Sequence, residues 1–349
     1  MPPPPEISRI LVRAANWLGD AVMSLPALRA LREGFPRAYI AVQARPWVAD
    51  LYARERFPDR VIPYVSARGA ADWSGKWRAA RALQAEHFDC AILLPNSFDS
   101  ALVVWLAGIP RRIGYNRDGR GVLLTDAIQR PASGDIPRHE RFYYLELIRR
   151  SGILSGAPVS DAIHLECADS ARQSGEARFR ELGLAAPVIG VSPGAAYGGA
   201  KRWPAERFAE AASQLAASAG ASVAVFGSQN ERAIAETVAE HVRASHIVVR
   251  NFAGETSLRE FIDLAAACRV FITNDSGGMH VAAALGVPTV AVFGATDHEA
   301  TGPTGPSVQV VREPVECSPC LLRECPIDHR CMTRVSAGRV AQAALDLLK

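Results

Sequence analysis

The first candidate for chemistry is Asp20, which ends the run Asn-Trp-Leu-Gly-Asp between a predicted strand and a predicted helix. A carboxylate at this place can accept a proton from an attacking hydroxyl group. Aspartate is also favoured as the cap of a helix N-terminus. The loop alone therefore leaves a general base and a helix cap as open alternatives.

A second candidate is the glycine-rich segment 192–204, Ser-Pro-Gly-Ala-Ala-Tyr-Gly-Gly-Ala-Lys-Arg-Trp-Pro, which precedes a predicted helix. Glycines such as Gly194 let backbone amides approach phosphate oxygens, and Lys201 adds a movable positive charge. The spacing matches neither a P-loop nor the dinucleotide fingerprint. A phosphate-binding loop and a plain surface loop both remain open.

The third and most specific candidate is segment 273–280, Thr-Asn-Asp-Ser-Gly-Gly-Met-His, which joins an apolar strand pattern to a helix pattern. Ser276 is placed to cap the helix, and Gly277 and Gly278 would expose backbone amides at its start. Such a helix start is a ready binding site for an anion. His280 falls about one turn into the helix, where a histidine taken alone is more often structural than catalytic.

Glu231 follows a further predicted strand, at the end of the run Phe-Gly-Ser-Gln-Asn-Glu. Its carboxylate could bond the hydroxyls of a ribose or favour a helix dipole, and the residues alone favour the dipole. The sequence has no Asp-x-Asp pair, the usual device for metal-assisted binding of a nucleotide diphosphate. We therefore expect neither a cofactor nor a metal ion at the phosphate site.

Four of the seven cysteines crowd into one segment near the C-terminus: Cys317, Cys320, Cys325 and Cys331. With His329 nearby, such a group can build a tetrahedral thiolate site for a metal. A second Cys-x-x-Cys pair is missing. Reduced thiols and labile disulfides, taken together, are therefore favoured over a bound metal. The short spacing predicts that the four lie close together and away from the phosphate site. Three cysteines stand alone and are predicted to be buried as small apolar side chains: Cys90, Cys167 and Cys268.

Strand and helix patterns alternate through two similar halves of the chain. The first half has a helix pattern from Asp20 to Arg32 and strand-like runs at Arg9–Arg13, Tyr39–Val42, Val61–Tyr64 and Cys90–Leu94. The strand-like runs of the second half are Val188–Val191, Ser222–Phe226, Ile247–Val249, Val270–Thr273 and Thr289–Phe293. Its helix patterns are Ala205–Ala219, Glu231–Val242, Leu258–Ala267, Ser276–Leu285 and Ser336–Lys349.

This alternation predicts an α/β protein of two doubly wound, Rossmann-like domains that face each other across a cleft. The mixed, polar segment from Ser155 to Ala186 marks the junction, and we place the domains at residues 1–170 and 171–349. Ligands of such folds bind at the carboxyl ends of the strands. All the loops singled out above follow predicted strands, except the cysteine-rich segment.

The composition is that of an ordinary globular protein, with 49% hydrophobic and 21% charged residues, which excludes a disordered chain or a coiled coil. A net charge of +3 is too slight for a nucleic-acid binder but suits an anionic substrate or membrane surface. No apolar run approaches the ~18 residues of a membrane span. The tetraproline start is predicted to be an extended tail without a secretory signal, so we expect a cytosolic protein with peripheral membrane contact at most.

Together these segments resemble the ADP-heptose:lipopolysaccharide heptosyltransferases of glycosyltransferase family 9. The resemblance runs over nearly the whole chain and rests on ordered segments: Trp17–Asp20, Leu94–Phe98, Pro193–Ala195, Ala200–Pro204 and Thr273–His280. The Leu-Pro-Asn-Ser-Phe and Lys-Arg-Trp-Pro runs favour the heptosyltransferase II branch. The cysteine cluster departs from the enterobacterial members of the family.

The resemblance implies a GT-B fold whose N-terminal domain takes the acceptor sugar and whose C-terminal domain takes ADP-heptose. It implies that Asp20 is the general base and that Lys201 contacts the diphosphate. The other implied donor-binding residues are Gly194, Glu231, Asp275, Ser276, Gly277, Gly278 and His280. The candidate acceptor-binding residues are Asn96, Ser97, Arg138 and Arg141, with Arg111 and Arg112 as further basic candidates.

The implied reaction is an inverting transfer of L-glycero-D-manno-heptose from ADP-heptose to a lipid A–Kdo–heptose acceptor at the cytoplasmic face of the inner membrane. Heptosyltransferase I or III is the nearest alternative. A nonhydrolysing nucleotide-sugar epimerase would share the fold and act on the donor alone. A sugar-nucleotide sensor without catalysis is disfavoured because Asp20 and Lys201 are both present.

Overall fold

The computed structural model describes residues 7–65, 72–154 and 160–349. It divides into two compact units, Met1–Asp161 and Ala162–Lys349. The tetraproline tail and the first residues of the predicted junction lie outside the described residues. The predicted boundary after residue 170 lies further along the chain, within the helix Ala168–Glu181.

The first unit is built on a parallel sheet of six strands. The strands are β1 (Arg9–Arg13), β2 (Tyr39–Ala44), β3 (Arg60–Pro63), β4 (Cys90–Leu93), β5 (Arg111–Tyr115) and β6 (Asp126–Ile128). The helices are α1 (Leu18–Met23), α2 (Leu25–Gly34), α3 (Pro46–Tyr52), α4 (Trp73–Gln84), α5 (Phe98–Leu106) and α6 (Arg141–Arg150). The strands lie in the order β3-β2-β1-β4-β5-β6.

The helix predicted over Asp20–Arg32 is two helices, because the chain is interrupted at Ser24 between α1 and α2. Pro26 stands in the first turn of α2 and has no N–H to continue the ladder from α1. The hydroxyl of Ser24 donates instead to the carbonyl of Ala21 at 2.8 Å. The break makes α1 a short helix with Asp20 in its first turn.

The second unit repeats this plan. Its strands are β7 (Val188–Ser192), β8 (Ser222–Val225), β9 (Val249–Asn251), β10 (Val270–Asn274), β11 (Thr289–Phe293) and β12 (Val308–Arg312), in the order β12-β11-β10-β7-β8-β9. Its helices are α7 (Ala168–Glu181), α8 (Ala205–Ala219), α9 (Arg232–Ala244), α10 (Leu258–Ala266), α11 (Gly277–Ala284), α12 (His298–Thr301), α13 (Arg330–Thr333) and α14 (Ala337–Leu347).

Both sheets have the strand order of a doubly wound Rossmann fold, so the predicted α/β class is confirmed. In the first unit the order reverses between β1 and β4, and in the second between β7 and β10. The loops that follow these strand pairs therefore meet at the point where such folds bind ligands. No helix within the described residues is long and apolar enough to cross a membrane.

The core of the second unit places the loop after β7. Trp203 is fully buried, packs edge-on against Phe208 at a ring distance of 4.8 Å, and donates from Nε1 to the carbonyl of Val335 at 3.0 Å. A buried aromatic ring with a satisfied N–H is a strong anchor for a connecting segment. The segment that carries Lys201 is thus fixed to the core at Trp203, the C-terminal end of that segment.

Candidate functional site

An ion pair between Lys201 and Asp275 joins two of the predicted donor residues. The Nζ atom of Lys201 lies 2.6 Å from Oδ2 of Asp275, and both side chains are largely buried. The hydroxyl of Thr296 donates to the same carboxylate oxygen. Burial of a charged pair is costly unless each partner is well bonded. The pair therefore keeps the positive charge of the long, rotatable Lys201 side chain beside the carboxylate of Asp275.

Asn274 ties together the loops after β7 and β10. Its Nδ2 donates to the carbonyl of Pro193 at 2.7 Å, and its Oδ1 accepts from the backbone N–H of Trp203 at 3.0 Å. Asn274 is fully buried. One amide therefore holds both ends of the segment that carries Lys201, which we call the lysine loop (residues 193–203).

The turn from β10 into α11 has the predicted form. Ser276 is the N-cap, and its hydroxyl accepts from the N–H of Met279. Gly277 and Gly278 begin the helix, so amide groups in its first turn have no helical partners and can receive an anion. His280 lies buried in the same helix, one turn further on.

Glu231 and Gly194 are also brought together. A Cβ atom placed on Gly194 would lie 2.2 Å from the carboxyl carbon of Glu231, so only glycine leaves room for this side chain. Oε2 of Glu231 accepts from both the backbone N–H and the hydroxyl of Ser228 at 2.8 Å, in a capping box. Glu231 thus has a capping role at the turn that leads into α9.

The segment 317–331, here the cysteine segment, packs directly on the lysine loop. Oε1 of Glu324 accepts from the N–H of Gly199 at 2.9 Å, and Nε2 of His329 donates to the carbonyl of Ala200 at 3.0 Å. The N–H of Ala200 donates to the carbonyl of Arg323 at 2.9 Å. These contacts hold the lysine loop against the cysteine segment, whereas its role in binding phosphate stays a prediction.

Tyr197 supports the lysine itself. The Nζ atom of Lys201 lies 4.9 Å from the centre of the Tyr197 ring, within the range of a cation–π contact. The hydroxyl of Tyr197 donates to the carbonyl of Leu321 at 2.7 Å, so the ring is fixed from the cysteine segment.

The cysteines of the segment are all free thiols, graded from exposed Cys317 to buried Cys331. Burial raises the pKa of the Cys331 thiol, and the neighbouring thiols Cys317, Cys325 and Cys320 raise it further. Within the described residues no group of three or more histidine, cysteine or acidic side chains is arranged to hold a metal ion.

In the first unit, Asp20 lies near the reversal point between β1 and β4. The N-cap of α1 is Trp17 and makes no side-chain cap bond, so Asp20 is not the cap and that alternative is wrong. The hydroxyl of Tyr144, from α6, donates to Oδ1 of Asp20 at 3.1 Å. Asp20 is half-buried and Tyr144 is buried. This leaves a carboxylate whose orientation is set by a tyrosine.

Further acidic and phenolic groups surround this carboxylate. Burial and the charge of Asp20 raise the pKa of Glu140. Burial raises the pKa of Tyr144 well above its ordinary value, and Asp20 and Glu140 add to the effect. Burial likewise raises the pKa of Tyr52, and Asp20 adds to it. Both tyrosines therefore stay protonated in the physiological range.

Asn96 stands on the loop after β4 in a fixed orientation. Its Oδ1 accepts from Arg120 at 3.2 Å, and its Nδ2 donates to the hydroxyl of Tyr143 at 3.0 Å. Arg120 is fully buried, and its hydrogen-bond acceptors among the described residues are all uncharged. Burial lowers the pKa of Arg120 to about 10. Ser97 caps α5 by accepting from the N–H of Ser100.

The predicted basic residues differ in their hydrogen-bond and ion-pair partners and in their exposure. Arg111 pairs with Asp126 at 2.9 Å and Arg141 with Asp161 at 2.9 Å. Arg112 donates to the backbone carbonyls of Ile109, Pro110 and Leu123. Arg138 is exposed.

Contributors to these sites that the sequence did not reveal include Tyr144, Arg120, Thr296 and Glu324. Thr296 had a usable signal, because it follows β11, the neighbour of β10, at the same edge of the sheet. Tyr144 had none, because it lies 124 residues from Asp20 along the chain.

Residues 76–330 match the family model described as glycosyltransferase family 9 (heptosyltransferase). The chain belongs to glycosyltransferase family 9. It is 36% identical over 309 residues to lipopolysaccharide heptosyltransferase 2 of Escherichia coli, covering 87% of this chain and 88% of that protein. Against the Salmonella typhimurium protein of the same name, it is 34% identical over 318 residues, with the same coverage.

The solved structure of ADP-heptose LPS heptosyltransferase II from E. coli matches with a TM-score of 0.82 and 31% identity, covering 97% of this chain and 98% of that one. The predicted GT-B class is therefore confirmed, and the family 9 chain is a glycosyltransferase. These relatives favour the predicted heptosyltransferase II over the epimerase alternative.

Proposed function

We propose that this family 9 enzyme transfers L-glycero-D-manno-heptose from ADP-heptose to the heptosylated inner core of lipopolysaccharide, with inversion. The proposal is supported above all by the pair of Lys201 and Asp275 beside the amides of Ser276–Gly278. A mobile cation and free amides at one helix start suit a diphosphate leaving group.

In this mechanism the second unit binds the donor. The diphosphate occupies the helix start at Gly277 and Gly278, and Lys201 turns from Asp275 to the phosphate oxygens. Glu231, against Gly194, faces the nucleoside. Negative charge grows on the diphosphate as its bond to the anomeric carbon breaks, and the fixed amides and Lys201 stabilise that charge. We propose that no divalent ion is needed.

The first unit binds the acceptor and supplies the base. A heptose hydroxyl of the acceptor gives its proton to Asp20 while its oxygen bonds to the anomeric carbon, on the face opposite the leaving diphosphate. Asn96 and Ser97 contact the acceptor, and Arg138 and Arg141 contribute positive charge for its anionic groups. The buried positive charge of Arg120 also favours an acceptor with anionic groups.

The lipid part of the acceptor stays in the inner membrane, and we place the enzyme at the cytoplasmic face of that membrane. No nucleic acid is involved. Because the acceptor is anionic and embedded in a bilayer, the first unit must work next to a negatively charged surface.

The test is mass spectrometry after incubation with ADP-heptose and purified core acceptors that carry no, one or two heptoses. The proposal expects one added heptose on the acceptor that already carries one. Transfer to the heptose-free acceptor would instead indicate heptosyltransferase I, and transfer to the acceptor with two heptoses would indicate heptosyltransferase III. Rearranged ADP-heptose without any acceptor would indicate an epimerase, and binding without turnover a sensor.

A further inference from the structure

Five large aromatic side chains of the first unit are exposed where its helices begin. They are between 43% and 59% exposed and comprise Trp17, Trp47, Trp73, Trp77 and Phe98. Trp17 and Phe98 stand at the starts of α1 and α5, Trp47 at the start of α3, and the other two in the first two turns of α4. We call these residues the aromatic rim.

The positions of the aromatic rim follow from the topology of the sheet. In a parallel sheet each helix that follows a strand begins at the carboxyl edge of that strand. Helices α1, α3, α4 and α5 follow β1, β2, β3 and β4, which are neighbours in the order β3-β2-β1-β4. The rim therefore lies along one edge of the sheet, the edge that also carries Asp20 and Asn96.

Direct contacts join the parts of the rim on the β2 side. Nε1 of Trp47 donates to the carbonyl of Asn16, next to Trp17, at 2.8 Å. The guanidinium of Arg45 lies 5.6 Å from the Trp47 ring centre and 5.0 Å from that of Tyr64. Trp47 thus contacts the segment that carries Trp17, and Arg45 links Trp47 to Tyr64, a buried residue directly after β3.

Further contacts link the end of β3 to α4, and α4 to α5. Tyr64 and exposed Val65 line a surface cavity together with Gly75 and Arg78 of α4. Lys76 of α4 pairs with Asp99 of α5 at 2.8 Å, which fixes the starts of these two helices beside each other.

The face of α4 that carries Trp73 and Trp77 does not pack on the core. The buried residues of α4 are Gly75, Lys76, Ala80 and Leu83. The exposed tryptophans are accompanied by two exposed arginines, and α4 contains no acidic residue. The guanidinium of Arg81 lies 5.7 Å from the Trp77 ring centre. The carboxylate of Asp72, directly before Trp73, is used as the helix cap and accepts from the N–H of Gly75. Exposed tryptophan with arginine is the side-chain chemistry of a contact with an anionic lipid interface.

We propose that the aromatic rim, with Arg45, Arg78 and Arg81, is the surface by which this enzyme docks on an anionic membrane. This inference rests on the proposed function, which places the acceptor lipid in such a membrane. Docking at the edge that carries Asp20 puts the lipid headgroups beside the acceptor site. The rings insert at headgroup depth and the arginines pair with lipid phosphates.

The first experiment measures co-sedimentation with vesicles of phosphatidylethanolamine and phosphatidylglycerol that contain no lipopolysaccharide. We expect the unaltered protein to bind, and to bind more weakly at high salt. The double variant Trp73→Ser, Trp77→Ser should bind about tenfold or more weakly, because two exposed rings no longer leave water. Arg78→Gln and Arg81→Gln should each weaken binding roughly fivefold.

Trp105→Ser is the matched control. Trp105 is also an exposed tryptophan of the first unit, but it lies in the last turn of α5, away from the carboxyl edge. Serine and tryptophan have similar helix propensities, so both substitutions leave the helices intact. The control should bind vesicles as the unaltered protein does. Equal loss of binding in the control, or no binding by the unaltered protein, would overturn the proposal.

A second measurement separates lipid from sugar as the occupant. With a lipid-free core oligosaccharide as acceptor, the double variant should keep the KM of the unaltered enzyme. A raised KM together with unchanged vesicle binding would assign the rim to the saccharide and overturn the membrane proposal. Vesicle binding together with no transfer to the oligosaccharide would contradict the proposed function alone, because the vesicles hold no acceptor. Transfer to the oligosaccharide without vesicle binding would contradict this inference alone.

Discussion

The hydroxyl of Tyr144 donates a 3.1 Å hydrogen bond to Oδ1 of Asp20. A buried phenol with a pKa held well above its ordinary value stays a donor, so it fixes one oxygen of the carboxylate. In the proposed mechanism this oriented carboxylate takes the proton from an acceptor hydroxyl. This relationship gives the proposed base an orientation as well as a charge.

The substitution Asp20→Asn tests the base itself. Asparagine has the same shape and can still accept the bond from Tyr144, but it cannot take a proton. We expect kcat to fall by roughly 10²–10⁴-fold, the usual contribution of a positioned general base. The thermal melt and the affinity for ADP-heptose should change little. If Asp20→Asn keeps more than about a tenth of kcat, the base is another residue.

The substitution Tyr144→Phe tests the positioning of Asp20 through the pH dependence of kcat. The hydrogen bond favours the ionised carboxylate, so its loss should move the acidic limb of the profile to higher pH. Glu140→Gln is the matched control, because burial and the charge of Asp20 raise the pKa of Glu140, so that Glu140 is still protonated while Asp20 ionises, and its replacement should leave the limb in place. A common shift in both variants would show that Tyr144 acts only through stability.

Glu140→Gln should also change stability in a pH-dependent way. Burial and Asp20 raise the pKa of Glu140 above its ordinary 4.5, so the folded protein holds this proton more tightly than the unfolded chain. Protonated Glu140 thus stabilises the fold at low pH, and that contribution is lost as the pH rises. The melting temperatures of variant and unaltered protein should diverge in favour of the variant as the pH rises to neutral. A difference that is constant with pH would contradict this assignment.

The contact of Glu324 with Gly199 is expected to set donor affinity through Lys201. Glu324→Ala removes the acceptor and should raise the KM for ADP-heptose roughly tenfold, as loss of a bond to a charged acceptor does. Glu324→Gln keeps an acceptor oxygen and should restore most of the affinity. In a Lys201→Ala background, Glu324→Ala should raise the KM little further, because the effects of two residues that act through one another are not additive.

Glu316→Ala is the control for that cycle. Glu316 lies in the same stretch of chain, is highly exposed, and its carboxylate lies 3.8 Å from the guanidinium of Arg330. Its removal should leave the KM unchanged. Full additivity of Glu324→Ala and Lys201→Ala would show that the cysteine segment supports the fold without positioning the lysine.

Chelation tests the role of metal ions. We expect full activity in excess chelator, because Lys201 and the amides of Ser276–Gly278 supply the positive charge that a metal would bring. Elemental analysis of protein purified reduced and without oxygen is the companion measurement for Cys317, Cys320, Cys325 and Cys331. A strict, reversible requirement for magnesium or manganese would contradict the metal-free mechanism.

The strands that could be predicted are those with continuous apolar runs. β1, β4, β7 and β10 are buried on both faces, which is why their sequences stand out. β12 alternates between partly buried and exposed positions at the edge of its sheet, and β6 has only three residues. Neither strand has a sequence pattern that distinguishes it from a loop.

The same limit applies to the sites. Lys201, Ser276 and Asp20 could be singled out as candidates because each stands at a connection from strand to helix with a local signature of glycines, caps or charge. The partners that orient them come from elsewhere in the chain: Tyr144 for Asp20, and Glu324 and His329 for the lysine loop. Contacts over such separations are set by tertiary packing, which no local pattern encodes.

The bridging amide of Asn274 has a consequence for hydrogen exchange. The backbone N–H of Trp203 is held by a side chain of β10 instead of by its own loop. Its exchange with solvent deuterium therefore requires the end of β10 to open, and not merely local fraying of the lysine loop. The Trp203 amide should exchange on the slow timescale of the sheet, more slowly than the amides of Gly199 and Ala200, which bond to the cysteine segment. It is therefore a reporter of sub-global opening at this edge.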